Sequence, residues 1–566
     1  MNAFSFLLEY EQNGKVFQET ALNHVLYDVE YSIKAAKIEL SITTKRPIAL
    51  KKISIAFKKN YDLREVFYAN GYQAWTTSRE YGISDRQKSV TPLSNLHPKL
   101  KAMAATSGDY LFTDYPKKTG AFHAYTYCYL RRGGAVELFG SLSEKNGFTV
   151  FRRDMTENLF TIEKDLDGLI CDGQYSVFDI LRIEGGYDEV FDRYFEAFGV
   201  PKLKHASLAG YTSWYNYFQK IDESIILRDL EGMAKVPEAN IFQIDDGYET
   251  FVGDWLDPNP KKFPNGMAHI AQKIHEKSLN AGLWLAPLNA QKTSRLAKEH
   301  PDWLIRDNKS GKPIVGVVAW GGAYGLDIYN SEVRAYLKTV FHTVLNEWGF
   351  DMVKLDFLYS QCMQPRLGKT RGTIMCETME FLRECVGDKL LLGCGVPLGA
   401  AFGYVDACRT GCDAGLKYGG EIYNKLTTIN AEIISAQNSV VNTVFRRHLN
   451  GRAFLGDPDV FFLRDDNLKF TEEQKLLLAR INNLFGGVLF VSDDVGAYDE
   501  GQLALLREAF TKKDITVLSA EFVTATDIRI VYSENGKNEN EKKIEFNLKK
   551  GNVTLHPHSQ QANRNE

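Results

Sequence analysis

From about residue 206 to 510 the chain repeats one pattern: a short apolar run, then an amphipathic helical segment, then another apolar run. Strand-like runs fall at 208–214, 240–245, 281–287, 351–356, 389–394, 404–409, 453–462 and 487–492. Helical spacing is clearest over 332–348, where Val333, Tyr336, Leu337, Val340, Phe341, Val344, Leu345 and Trp348 recur on one face. Further helices are expected over 222–235, 266–278, 370–386, 427–439, 472–485 and 501–510. Eight strands alternating with helices fit a closed (β/α)8 barrel better than an open doubly wound sheet. No glycine-rich phosphate loop opens a helix, since Gly393-x-Gly395 lacks the third glycine of the dinucleotide spacing.

The flanks read differently. Residues 1–205 alternate apolar and polar side chains, as in Ile38/Leu40/Ile42 and Ile53/Ile55/Phe57. Turn signals at Asn13-Gly14, Asn70-Gly71, Gly133-Gly134 and Gly185-Gly186 punctuate them, which predicts a β-sandwich. One loop, NGYQAW (70–75), sets two aromatics beside polar residues, odd for a plain sandwich turn, though Trp75 could simply plug the sandwich end. After 511 alternation returns in Ile528/Ile530/Tyr532 and Ile544/Phe546/Leu548, around the polar turn SENGKNENEKK. The chain is thus a multidomain α/β protein: a β-sandwich (1–205), a barrel (206–510) and a small C-terminal β domain (511–566). The tail HPHSQQANRNE has nothing to bury and is expected to fray.

Composition removes several classes. Lys+Arg 68 against Asp+Glu 72 leaves no basic stripe for nucleic acid. No run approaches the roughly 18 apolar residues of a membrane span. The start MNAFSFLLEYEQNGK meets acids early and lacks the basic opening of a signal peptide. Eight cysteines without a CxxC pair or framework spacing read as reduced thiols, so the expected location is cytoplasmic. The 11 histidines form no HxH or HxxH pair at a strand end, so no catalytic metal is expected.

The stretch 349–360, GFDMVKLDFLYS, carries Lys354 and Asp356 at the end of an apolar run. Charges are rare in strands buried on both faces unless they are paired or functional. Barrel enzymes keep their chemistry at the strand C-termini. Reading the other strand ends gives Ser213-Trp214-Tyr215, Asp245-Asp246, Trp284, Cys394-Gly395, Arg409 with Asp413 beyond it, Asp457-Pro458-Asp459 and Asp493-Asp494. Several acids, a lysine, an arginine and tryptophans at one rim suit glycoside hydrolysis, which needs two carboxyl groups flanking the anomeric carbon. Asp356 suits the nucleophile, with Lys354 helping to keep it ionised. Asp413, in a glycine-containing loop, suits the acid, and Arg409 orients it or the substrate. Asp245 and Asp246 suit hydrogen bonds to neighbouring sugar hydroxyls, and Trp214 and Trp284 suit stacking on a pyranose. Asp457 and Asp459 serve the site or merely make the turn with Pro458.

GYTSWYNYF, FQIDDGYETFVGDW, GLWLAP, HPDWLI, VKLDFLYS, LGCGVPLG, VDACRTGCDAG and GDPDVFFLR, in this order, resemble the α-galactosidases of glycoside hydrolase family 36. The resemblance spans residues 206–510 and reaches weakly into NGYQAW. It implies an N-terminal β-supersandwich, a central (β/α)8 barrel, a C-terminal β-sheet domain, and retaining hydrolysis of terminal α-galactosides without a cofactor. By the same matching Asp356 is the nucleophile and Asp413 the acid/base. Asp245 and Asp246 grip the galactose 4- and 6-hydroxyls, and Trp75, Trp214, Trp284, Lys354, Cys394 and Arg409 line the subsite. Two stretches depart from the family pattern, Asp413-Ala414-Gly415-Leu416 and VGVVAWGGAYG, and leave the aglycone open.

The expected function is a retaining, exo-acting α-galactosidase acting on small oligosaccharides. Its rivals are an α-N-acetylgalactosaminidase, since Gly395 leaves room near the sugar 2-position, an α-galactosyl transglycosylase, and a sugar-binding protein on a dead barrel. A sandwich-flanked barrel can act alone or as a homo-oligomer, and the sequence leaves that open.

Overall fold

The computed structural model describes residues 3–89, 96, 108–420, 434–534 and 541–556. Its centre is a closed barrel of eight parallel strands: β1 (Leu208–Thr212), β2 (Ile241–Ile244), β3 (Asn280–Leu285), β4 (Met352–Leu355), β5 (Leu390–Gly393), β6 (Ala407–Arg409), β7 and β8 (Val488–Val491). β7 is broken into Leu455–Asp457, which pairs β6, and Val460–Phe461, which pairs β8. β8 in turn pairs β1, and that closes the ring. Seven of the strands fall inside the runs read from the sequence, and β3 starts one residue before its run. Apart from Asn280 at the start of β3, their residues are buried, as parallel strands covered on both faces require.

The helices that cover the barrel are α1 (Glu223–Met233), α2 (Gly266–Glu276), α3 (Ser331–His342), α4 (Arg371–Val386), the single turn α5 (Leu398–Ala401), α6 (Ala436–Phe445), α7 (Glu472–Phe485) and α8 (Glu500–Phe510). Six of them start where a side-chain oxygen accepts an otherwise unmatched first-turn N–H: Asp222, Asn330, Thr370, Ser435, Thr471 and Asp499. The helix expected over 332–348 is α-helical to His342 and then widens to a π-type turn over Thr343–Glu347. The one expected over 427–439 begins at Ala436, because Ser435 caps it, and runs on to Phe445; residues 421–433 lie outside the described residues. No described helix is long and apolar enough to cross a membrane.

The N-terminal part is an eleven-stranded antiparallel sheet wrapped around its own core of Leu8, Ile42, Ile55, Phe57, Phe122, Phe139 and Phe160. Two long strands, Lys37–Lys58 and Leu159–Gly185, form its spine. Both alternating sets read from the sequence lie in the first of these. Buried positions switch from even (38, 40, 42, 48, 50) to odd (53, 55, 57) where the pairing slips between Glu9 and Tyr10 on the neighbouring strand, a bulge. Asn13-Gly14 makes the first hairpin, both residues at positive φ. Gly186 caps a helix, Tyr187–Phe198, that the sequence reading did not anticipate; its face of Val190, Phe191, Tyr194 and Phe195 ties the sheet to the barrel.

Four antiparallel strands, Ile515–Phe522, Asp527–Glu534, Glu541–Asn547 and Asn552–His556, form the C-terminal sheet. Its Ile528, Ile530 and Phe546 join the same apolar core as the barrel. Residues 535–540 of the polar turn and 557–566 of the tail lie outside the described residues.

Candidate active site

The ten residues singled out from the sequence meet at one mouth, formed by the C-terminal ends of the barrel strands and one loop of the N-terminal sheet. At its floor, β4 delivers Lys354 and Asp356. Asp356 Oδ1 accepts the N–H of Phe357 at 2.7 Å, and Oδ2 accepts the indole N–H of Trp284 at 3.2 Å. Phe357 itself takes a left-handed φ of 54°. Burial pushes the Asp356 carboxyl above its ordinary range, while Lys354 and hydrogen bonds from Cys394 and Trp284 pull it down. The buried Cys394 thiol is itself pushed well up, so it stays protonated and donates.

Lys354 does not make its closest contact with Asp356. Its Nζ lies 2.7 Å from Asp245 Oδ2, a buried ion pair joining β4 to the end of β2. The two adjacent aspartates consequently differ. Asp245 is held by Lys354 and by Gln243 Nε2 at 3.1 Å. Asp246 accepts Gln219 Nε2 at 3.0 Å and the indole N–H of Trp320 at 2.9 Å. Burial raises the Asp246 carboxyl, and burial together with the Asp246 charge raises Glu249 beside it.

Trp284 is both core and site: almost wholly buried, it stacks edge-on against Trp255 and Trp320 and still reaches Asp356. Trp214 is half-buried on the first turn after β1, edge-on to Phe218. Trp75 settles the two readings of NGYQAW in favour of the barrel. Its ring lies 5.8 Å from Phe357 and 6.0 Å from Tyr359. The loop is held by the first residue after α6, Arg446, whose guanidinium donates to the carbonyls of Gln73 (2.8 Å), Ala74 (3.1 Å), Thr76 (2.9 Å) and Thr410 (2.7 Å).

On the opposite wall Arg409 fans across three carboxylates. Nε meets Asp457 at 3.0 Å, Nη1 meets Asp413 at 3.0 Å and Nη2 lies 2.9 Å from Asp459. Asp457 and Asp459 thus pair with Arg409 as well as flanking Pro458 in the turn. Asp413 is the most open of these acids, its side chain 30% exposed, whereas Asp356 is buried.

Gly395 does not supply the space assigned to it from the sequence. It sits at φ 61°, and a β-carbon there would lie 3.2 Å from Cα and N of Phe357. The glycine serves a close approach of two backbones rather than a pocket.

The sequence reading missed Gln219, Trp320 and Arg446, and gave Tyr215, though named at the end of the first strand, no role. The unfamiliar loop VGVVAWGGAYG was the one signal for Trp320. Among the described residues no three His, Cys, Asp or Glu side chains are grouped so as to hold a metal ion.

Fold and mouth together define a (β/α)8-barrel protein, flanked by an N-terminal and a C-terminal antiparallel sheet, with acids and tryptophans gathered at the strand ends. Residues 214–373 match the melibiase family model. Alpha-galactosidase Mel36A of Lactobacillus acidophilus is 32% identical over 137 residues, 23% of this chain and 18% of that protein. An A type blood alpha-D-galactosamine galactosaminidase of Flavonifractor plautii is 33% identical over 132 residues, 22% of this chain and 12% of that protein. The matched part is thus under a fifth of either relative's length. Among solved structures, the α-galactosidase TtGalA from Thermus thermophilus superposes with a TM-score of 0.69 at 23% identity, covering 93% of this chain and 97% of that one. The resemblance to family 36 α-galactosidases read from the sequence motifs is borne out.

Proposed function

We propose that this chain is a retaining, exo-acting α-galactosidase that removes terminal α-D-galactosyl units from small oligosaccharides. The observation that carries this reading is the asymmetry of two facing carboxyls. Asp356 is buried at the floor and held by three hydrogen-bond donors, whereas Asp413 stands at the open rim on Arg409. The Asp413 charge is among those that raise Asp356, so Asp413 lies within electrostatic reach of it.

In the first step an oxygen of Asp356 forms a bond to the anomeric carbon as the glycosidic C–O bond breaks, and the Asp413 proton passes to the leaving oxygen. Asp413, now a carboxylate, takes a proton from water, whose oxygen displaces Asp356 and restores both groups. A buried, weakly solvated nucleophile and an acid beside the exit suit these roles. The reaction needs no cofactor. Asp245 and Asp246 face the pocket as acceptors for sugar hydroxyls, and Trp75, Trp214 and Trp284 wall it for the apolar face of the ring. Lys354, Cys394 and Arg409 complete its lining. The TtGalA structures hold p-nitrophenyl α-D-galactopyranoside and stachyose, which supports a substrate of that class here.

The N-acetyl sugar is the second reading, but the filled space at Gly395 removes the argument for it drawn from the sequence, and the Flavonifractor plautii relative is named for α-D-galactosamine. Eight free thiols, seven of them buried, support a reduced, cytoplasmic setting. Parallel assays with p-nitrophenyl α-D-galactoside and p-nitrophenyl α-N-acetylgalactosaminide test the assignment. The galactoside should have the higher kcat/KM by at least tenfold; the reverse order overturns the choice of sugar, and cleavage of neither overturns the enzyme.

A further inference from the structure

β7 is interrupted at Pro458-Asp459, and Asp459 takes φ 76°, a left-handed conformation that residues with side chains seldom adopt. Strain of this kind persists where surrounding contacts over-determine it. Here the chain does not turn away, since Val460–Phe461 resumes pairing at once with β8. The kink's effect is to aim the Asp459 carboxylate at the rim. Oδ2 accepts the backbone N–H of Ala414, the residue after Asp413, at 2.7 Å, and also the phenol of Tyr215. Oδ1 lies 2.9 Å from Arg409 Nη2, and the same guanidinium holds Asp413. Asp459 is buried, and its carboxylate therefore fixes Asp413 from two sides, through the arginine and through the following amide.

We propose that Asp459, anchored by Tyr215, is a positioning residue that sets Asp413 over the leaving oxygen. This rests on the reading of Asp413 as acid/base. Burial, with the Asp413 and Asp457 charges, pushes the Asp459 carboxyl up against the pull of Arg409, so the group is held where small changes of neighbour matter.

The test compares kcat/KM, which spans binding through the bond-breaking step and leaves out deglycosylation, on two substrates. p-Nitrophenyl α-galactoside has a leaving group that needs little protonation; the sugar released from a galactosyl disaccharide would be a poor alkoxide leaving group and needs the acid's proton to leave as the alcohol. Asp459→Asn keeps the shape but turns an N–H2 toward Arg409 or Ala414. It should lower kcat/KM on the disaccharide about a hundredfold and on the aryl galactoside less than tenfold. Tyr215→Phe, which removes one hydroxyl, should show the same bias in smaller degree and covers the case in which the first variant fails to fold. Equal losses on both substrates, or no loss, overturn the positioning role. A wild-type chain that cleaves neither substrate overturns the functional reading and this assignment with it.

Discussion

Replacing Arg446 with methionine tests how the N-terminal sheet contributes to the site. The guanidinium makes four hydrogen bonds of 2.7–3.1 Å to backbone carbonyls, three of them on the loop that carries Trp75. Hydrogen bonds from a charged donor contribute about 1.5–3 kcal/mol each. The loss is not their sum. Ala74 and Thr76 keep Asn442 Nδ2 as a donor, and Gln73 keeps the amide of Thr76. The Thr410 carbonyl is left without a donor among the described residues, at about 1–3 kcal/mol. Relief of burying a cation, whose burial already lowers its pKa, offsets part of this. A net loss of about 4 kcal/mol is expected for Arg446→Met. For one cooperative transition of 566 residues the unfolding entropy is about 1.2 kcal/mol per degree, so Tm should fall by about 3 °C. Release of Trp75 should raise KM for an aryl α-galactoside about tenfold, equivalent to about 1.4 kcal/mol. Differential scanning calorimetry and initial rates check both; an unchanged Tm and KM would refute the view that this arginine holds the loop.

Lys354→Met leaves the buried Asp245 carboxylate unpaired and should cost about 3–5 kcal/mol by denaturant titration, most of it recovered in Lys354→Met/Asp245→Leu. A single variant as stable as wild type would contradict the pairing. Trp320→Phe removes the N–H that meets Asp246 but keeps a ring against Trp284 and Phe357. It should raise KM about threefold with kcat little changed, and a loss confined to kcat would refute a binding role. All eight thiols are raised by burial, so each stays protonated in the fold and ionises near pH 9 when unfolded. That stability is present below pH 9 and lost above it at about 1.4 kcal/mol per pH unit per thiol. Lys164 and Lys512, lowered to about 8, act in the opposite sense but are only two. Tm in reducing buffer should fall between pH 9 and 10; a constant Tm would refute the burial argument.

The barrel was legible because its constraint is periodic. Each strand is an apolar run closed by polar residues, and each helix shows its stripe on one face. Asp356 and Lys354 stood out for the same reason, as charges in a run that should hold none. What the sequence could not show were pairings between distant segments. Lys354 finds Asp245, 109 residues away, rather than its near neighbour Asp356. Arg446 finds a carbonyl 372 residues earlier, and a backbone carbonyl leaves no mark in composition. Asp459 was visible but ambiguous, because Asp-Pro-Asp is also ordinary turn chemistry. Gly395 misled: a missing side chain reads as space, and here another backbone fills it.

The central claim is that Asp356 attacks the anomeric carbon while Asp413 supplies the proton. The direct measurement is a proton NMR time course of aryl α-D-galactoside cleavage, following which anomer of galactose appears first. α-Galactose should precede mutarotation, and Asp356→Ala should abolish its release. β-Galactose appearing first would contradict the double displacement and remove Asp356 from the nucleophile's role.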